Sequence, residues 1–273
     1  MGHKSKQMKY SLLILLGLIA FYPLQAQQKQ GKVVYDRTVK LQLSFAGMPG
    51  GMEQQMPSSR TDKFELSFAN NQSLWKQAES DNNEDNVFGG DGAQIRMVVA
   101  GNDDVLFCDL DEGKRIEKRE LFDKTFIIDD TLTKLKWKMT GESKTILNHN
   151  CMKATATRYS KRMNMNMDNG KMTRVEVDDT SNIVAWFAPD IPVSAGPSEF
   201  QGQLPGVILE MDVKDGSQIY KAVSISEKTD IAAIKEPSGK KHYTPEEFRK
   251  ERDKMMKEME QNNQGGRRVI RMN

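Results

Sequence analysis

The chain has 273 residues, of which 37% are hydrophobic, 7% aromatic and 29% charged, the composition of a soluble single-domain chain rather than of a membrane bundle. Lys+Arg number 40 against Asp+Glu 38, a formal +2. That balance lacks the cationic footprint by which nucleic-acid binders neutralise phosphates, so no nucleic-acid partner is expected.

The first 26 residues read as a secretory signal peptide. Lys4, Lys6 and Lys9 form a positive start, Ser11 to Tyr22 is apolar apart from Gly17, and Pro23 to Ala26 supply a cleavage region. The apolar run is shorter than the ~20 residues that cross a bilayer, and Gln27 to Gln30 are not a stop-transfer flank, so no transmembrane segment is expected in the mature chain. No Cys follows Ala26 to take a lipid. The expectation is an exported chain of the periplasm or cell envelope, starting near Gln27. Removing the three leader lysines leaves 37 basic against 38 acidic groups.

From Val33 to Phe45 apolar residues occupy Val33, Tyr35, Val39, Leu41, Leu43 and Phe45, with Arg37 the break and polar residues between them. Alternation of period two predicts a strand with one buried face. The pattern recurs at Phe64, Leu66, Phe68; at Ile95, Met97, Val99; and at Leu135, Trp137, Met139. Shorter strands are predicted over Val105–Leu110, Lys124–Ile128, Thr145–Leu147, Met152–Tyr159, Thr173–Val177, Ile183–Phe187, Val207–Val213 and Ile219–Ile225. About a dozen strands without a helical period between them predict a mainly β domain over residues 27–235. Its form is a curved antiparallel sheet, a half-barrel or open barrel. Polar, Gly-rich stretches at Ala46–Arg60, Gln77–Ala93 and Lys161–Lys171 read as mobile loops.

Beyond Ile234, Pro237 to Gly239 lead into Thr244, Pro245 and Glu247, a capping box with Pro at the first helical position. A helix from Pro245 to about Gln261 is predicted, with Phe248, Met255, Met256 and Met259 as a thin apolar stripe. Residues 236–273 thus read as a helix that docks loosely or stands in solvent, and a flexible basic tail carrying Arg267, Arg268 and Arg271, dispensable for folding.

Two cysteines, Cys108 and Cys151, remain in the exported chain. An oxidising compartment and an even count allow a disulfide; the apolar alternation of Leu106, Cys108 and Leu110 equally allows a buried thiol. Only His149 and His242 remain for histidine chemistry, and no nucleophile elbow, phosphate loop, paired-His zinc helix or Cys-x-x-Cys accompanies them. Asp81, Asn83 and Asp85 begin like a calcium loop, but Asn86 stands where Gly is needed and Gly92 where Glu is, so the stretch reads as a solvated acidic loop. No catalytic residue and no resident cofactor are assigned. Methionine is the unusual component: 17 in all, with Met48, Met52, Met56 in one polar stretch and Met163, Met165, Met167 in another. Thioethers are soft ligands suited to Cu(I), which makes these six the metal candidates of an alternative, copper-handling reading; flexible packing side chains are the other explanation.

The run from Ala185 to Pro197, followed by Phe200, Gly202, Leu204, Pro205, Gly206, Val207, Ile208 and Leu209, resembles the Gly-Leu-Pro-Gly-Leu-Ile signature of the GLPGLI family of exported Bacteroidetes proteins. Trp137, Lys144, Ile146, Cys151, Lys153 and Ala154 resemble the segment that precedes it, and the resemblance runs from about Val33 to Ile225. Gln203 intrudes between Gly202 and Leu204, and Val207 replaces a Leu. The resemblance implies an envelope protein and carries no activity with it. Physically, Pro189, Pro192, Pro197 and Pro205 with Gly196, Gly202 and Gly206 form either a structural joint between strands or, with Trp186 and Phe200, the lip of a ligand mouth. The leading expectation is a non-enzymatic binding or transport-accessory protein whose concave side holds an apolar ligand or an envelope protein's segment. An unfamiliar enzyme site would instead require Glu210, Asp212, His149 or Arg158 to converge.

Overall fold

The computed structural model describes residues 29–40, 58–78, 87–88, 95–96, 104–121, 123–168 and 171–264. Its strands are β1 (Gly31–Lys40), β2 (Ser59–Ala69), β3 (Gln72–Gln77), β4 (Val87–Phe88), β5 (Ile95–Arg96), β6 (Val105–Asp109), β7 (Lys114–Leu121), β8 (Lys124–Thr131), β9 (Lys138–Ile146), β10 (His149–Asp168), β11 (Lys171–Ala188), β12 (Val207–Val213), β13 (Gln218–Ser226) and β14 (His242–Tyr243). A single helical turn at Ile231–Ala233 and the helix α1 (Pro245–Gln264) complete the described elements. Twelve strands form one sheet in the order β14-β8-β7-β6-β3-β2-β1-β13-β12-β11-β10-β9, and β4 and β5 pair separately. The molecule is therefore mainly β, an open sheet with a C-terminal helix, as the alternation predicts. Every pairing in the large sheet is antiparallel except β14 on β8.

The curvature follows from chain length. Ten strand steps separate β8 from β9, about 48 Å in a flat sheet at ~4.8 Å per step. Thr131 and Lys138 are joined by seven residue steps, which reach ~25 Å at most. The sheet must roll toward the side on which this crossover runs. Leu132, Leu135 and Trp137 of the crossover pack on the main core, so that side is the inner face. Leu135 and Trp137 are apolar for this reason; they precede β9 and do not form the strand that their spacing with Met139 predicts.

Alternation sorts side chains cleanly between the faces. Val33, Tyr35, Leu66, Phe68, Trp75, Leu106 and Cys108 point into the inner core, while Leu74, Phe107, Ile116 and Ile127 point outward under Ile234. The C-terminal segment wraps the β8 edge. It lies on the outer face at Ile234, adds β14 beside Ile127 and Ile128, and then lays α1 on the inner side, where Phe248 and Met255 pack against Phe126 and Ile128. With Phe248 6% and Met255 7% exposed, the helix is docked, not loosely attached. Its cap is the one the sequence predicts: the Glu247 amide donates to Thr244 Oγ1 at 3.2 Å, and the Thr244 amide donates to the Glu247 carboxylate at 2.8 Å.

Three readings of the loops change. Lys161–Lys171 is no loop: β10 and β11 continue through it to the pair Asp168↔Lys171. Ala46–Arg60 ends inside β2, and Gln77–Ala93 begins at the end of β3 and contains β4; residues 41–57, 79–86 and 89–93, the leader 1–26, Asp81, Asn83, Asp85 and the Arg267, Arg268, Arg271 tail lie outside the described residues. β3 and β7 are strands that the apolar pattern did not predict.

Candidate functional site on the inner face

The segment between β11 and β12, the one that carries the Pro/Gly signature, fills much of the inner face. Ile191, Val193, Ala195, Phe200 and Leu204 are all 3% exposed or less. It is tied down by main-chain bonds from Gly202 to Ser194 (2.7 Å), Ile208 to Ala195 (3.0 Å) and Val207 to Ile191 (3.2 Å), and Tyr35 Oη donates to the Ile208 carbonyl at 2.6 Å. Two glutamines complete the plug. The side-chain oxygen Oε1 of buried Gln201 accepts from Ser73 Oγ (3.1 Å) and the Gly196 amide (3.2 Å). Gln203 Oε1 accepts from the Leu135 amide (3.0 Å) and Trp137 Nε1 (3.1 Å), while its Nε2 donates to the Thr133 carbonyl at 2.8 Å. The residue that interrupts the expected motif therefore clips the crossover to the plug. Close approach explains two of the glycines: a Cβ on Gly196 would stand 2.4 Å from the Phe200 carbonyl oxygen, and one on Gly206 2.3 Å from that of Ala188.

Beside the plug remains a cavity of about 470 Å³, lined by Arg37 of β1, Phe64 of β2, Trp75 and Gln77 of β3, Asp104 to Leu106 around the start of β6, Arg115, Glu117 and Arg119 of β7, and Ser198 and Glu199 of the plug. Strand alternation builds its wall: Arg115, Glu117 and Arg119 point inward because Ile116, fully buried between them, points outward. Glu117 accepts from Arg115 at 3.3 Å and from Arg119 Nε at 3.1 Å. Arg119 stands 3.9 Å from Asp104 and covers the Phe248 ring at 5.4 Å, which joins the cavity wall to α1. Arg37 donates to Asp62 at 3.1 Å and lies 4.4 Å over the Phe64 ring. Phe64 in turn stacks on Trp75 with centroids 5.0 Å apart.

The electrostatics are those of a partly desolvated, mixed-charge wall. Burial pushes the Asp104 carboxyl above its ordinary range, against the lowering effect of the Glu120 amide and Arg119. Burial acts upward on Glu199 as well, but hydrogen bonds from Ser198 and its own amide, together with Arg158 at 3.0 Å, hold it below the ordinary value. Buried guanidinium Nε atoms of Arg37, Arg115 and Arg158 have no hydrogen-bond partner among the described residues, although buried donors are normally satisfied. Two of these arginines line the cavity.

The other candidate residues sit elsewhere. Trp186 lies under Lys144 (4.3 Å) and Lys153 (5.7 Å), outside the cavity. Pro192 and Pro205 are exposed, whereas Gly196, Pro197, Gly202 and Gly206 are buried in the plug. His149 meets Asp190 at 2.7 Å, Arg158 meets Glu199, Glu210 accepts from Lys144 at 2.8 Å, and Asp212 accepts from the Gly216 amide at 2.6 Å. Four groups with four separate partners do not form one reaction centre. His242 pairs with Asp129 at 2.9 Å. Cys108 and Cys151 are both free and buried, so the disulfide their even count allows is not made. Burial pushes their thiols up to about 12 and about 11, opposite to what an activated nucleophile needs. No group of three His, Cys, Asp or Glu residues disposed for a metal occurs among the described residues. Met48, Met52 and Met56 lie outside them, and Met163, Met165 and Met167 are on β10. No described helix is long and apolar enough to cross a membrane.

The solved structures similar to this chain include PNGF-II in its C2 crystal form (16% identity, TM-score 0.47, covering 79% of this chain) and in its P21 form (14% identity, TM-score 0.48, covering 81%). The chain spans about a third of PNGF-II, 31% and 32% of its length in the two forms. No curated protein matches the sequence. Residues 137–210, the stretch from the end of the crossover through β9, β10, β11 and the whole plug to mid-β12, match the family described as a protein of unknown function, Porph_ging.

Proposed function

We propose that this is an exported, non-enzymatic binding protein of the cell envelope, whose inner cavity takes a small polar ligand rich in hydrogen-bond acceptors. The leader and the GLPGLI-like signature support the export. The observation that carries the binding reading is the pair of buried guanidinium Nε atoms of Arg37 and Arg115, without an acceptor among the described residues, beside a 470 Å³ space. An acceptor atom from a ligand would satisfy donors whose burial is otherwise costly, by roughly 1–3 kcal/mol each. The inner side's apolar surface is occupied by the protein's own plug, and the space left is walled by charges, which favours a polar ligand over the apolar one the strand pattern suggests.

The test is to purify the protein from its native envelope, release bound small molecules with acid, and identify them by mass spectrometry. A stoichiometric polar compound, absent from an equally well-folded Arg37→Met, Arg115→Met variant, is expected. Wild-type protein that releases nothing above the level of this variant overturns the reading.

A further inference from the structure

Ser198 holds a backbone conformation that its position in the chain does not explain. At φ 51° it lies in the left-handed region. Every other non-glycine residue with positive φ among the described residues sits in a short link between consecutive antiparallel strands, β2–β3, β7–β8, β9–β10 or β12–β13, where tight turns demand that conformation. Ser198 is in the plug instead, and it lines the inner cavity. The Phe200 amide donates to the Pro197 carbonyl at 3.0 Å, so Pro197–Phe200 is a turn with Ser198 and Glu199 at its centre. A first central residue with positive φ is normally Gly, Asn or Asp, and the plug does use glycine at Gly202, where φ is 70°. Serine at 198 therefore serves through its side chain, and backbone strain of this kind concentrates where a side chain meets a ligand.

The charges around the turn are balanced. Arg37, Arg115 and Arg119 line the cavity together with Asp104, Glu117 and Glu199, three cations and three anions. A ligand with net charge would leave an uncompensated charge in a partly desolvated space; a net-uncharged ligand with separate donor and acceptor groups would not. The two kinds of partner come from different elements. The sheet supplies the Nε donors of Arg37 and Arg115, which lack an acceptor among the described residues. The plug supplies Glu199, whose side chain is 38% exposed and already accepts from Arg158 at 3.0 Å; a carboxylate has about four acceptor sites, which leaves capacity for a ligand's donor.

We propose that the Pro197–Phe200 turn is the specificity element of the inner cavity, and that Ser198 and Glu199 take the donor group of a net-uncharged ligand, a zwitterion or a polyhydroxylated molecule, whose acceptor group meets Arg37 and Arg115. This role rests on the reading of the cavity as a binding site.

The test compares the compound that acid releases from wild type, Ser198→Ala and Ser198→Gly, each purified as the full chain from its native envelope. Alanine removes the hydroxyl and keeps the constrained backbone; glycine removes both. Each variant should carry less than about a tenth of the wild-type amount, the loss expected for one hydrogen bond to a polar or charged group. On protein refolded from urea, free of the compound, Ser198→Ala should melt within about 4 °C of wild type, and Ser198→Gly at the same temperature or up to about 4 °C higher, because glycine takes positive φ without strain. The released compound should not migrate in electrophoresis at pH 7; labelling by an amine reagent identifies it as a zwitterion, and cleavage by periodate as a polyhydroxylated molecule. Full retention by either variant, a Tm of Ser198→Gly more than about 4 °C below wild type, or a compound that migrates as an ion overturns the proposal and leaves the binding reading intact. A wild type that releases no more than the Arg37→Met, Arg115→Met variant overturns both.

Discussion

Gly206 lies so close to Ala188 that a single methyl group would meet its carbonyl oxygen at 2.3 Å, with the Ala188 carbonyl carbon at 2.7 Å and Pro189 Cα at 3.1 Å. All three obstacles are backbone, so nothing can swing aside. Gly206→Ala is expected to cost ~1–3 kcal/mol as an overpacked core position, a fall in Tm of about 3–10 °C by thermal melt; an unchanged Tm would mean that the plug can shift. The same scale governs alkaline stability. Both thiols have an ordinary value of 9.0 and are pushed by burial to about 12 (Cys108) and about 11 (Cys151). Below pH 9 each is protonated in folded and unfolded chains alike and contributes no pH dependence. Above it the unfolded chain releases protons that the folded chain retains, so stability falls as pH rises through this window. Tyr35 and Tyr220, raised mainly by burial, act in the same direction at higher pH. A Cys108→Ala, Cys151→Ala variant should therefore lose Tm less steeply than wild type between pH 9 and 11, each measured against its own value at neutral pH. Parallel slopes would refute the assignment.

At the scale of elements, the C-terminal wrap has an energetic role that its thin apolar stripe understates. Its removal uncovers Phe126, Ile128 and Ile127 as well as the backbone edge of β8, in addition to losing the burial of Phe248 and Met255. Two largely buried side chains contribute ~1.5–3 kcal/mol each, and an uncovered edge is a site for pairing with other chains. A chain ending after Ile234 is expected to melt more than about 8 °C lower and to aggregate on heating, checked by calorimetry and light scattering; a difference of less than about 3 °C would mean that the docked helix adds nothing. The element scale also shows why the cavity was hidden in the sequence. β7 reads Lys-Arg-Ile-Glu-Lys-Arg-Glu-Leu, with Ile116 the one apolar residue in its interior. Its inward side chains are charged because they face a cavity, and a search for apolar alternation passes over a strand of that kind. The roles of Gln201 and Gln203 are not legible in the sequence for a related reason: a buried amide is recognised by its partners, and those partners, Ser73 and the crossover, are distant in sequence.

At the scale of the whole molecule, apolar alternation makes the class of fold legible, because strands such as β1 alternate buried and partly exposed residues along much of their length. The curvature was legible only after strand order was known, since the short β8–β9 crossover constrains the sheet through pairings of high sequence separation. The hairpin carries a sequence signal that the polarity of the stretch masks. Asn169-Gly170 lies between alternating Met163–Met167 and Thr173–Val177, the strongest short signal for a two-residue turn, but the polarity of the stretch suggested a loop. A two-stranded ribbon that no described strand flanks has no neighbour in the sheet that requires it to be apolar, and polarity therefore says little about its structure. Its anchoring lies at the base, in Arg158 with Glu199 (3.0 Å) and Lys214 with Asp179 (2.6 Å); beyond Lys161↔Asp178 the pairing is internal to the hairpin. An isolated two-stranded hairpin is marginal at best, so the outer ribbon should contribute little to global stability. Replacing residues 162–177 by Asn-Gly, which keeps the Lys161↔Asp178 pair and both base contacts, should leave the rest of the sheet folded with a Tm within about 3 °C of wild type. The shortened chain should retain whatever ligand the inner cavity holds. A shortened chain that fails to fold would show that the ribbon is packed into the molecule and that the sheet does not end at Thr155 and Ile183.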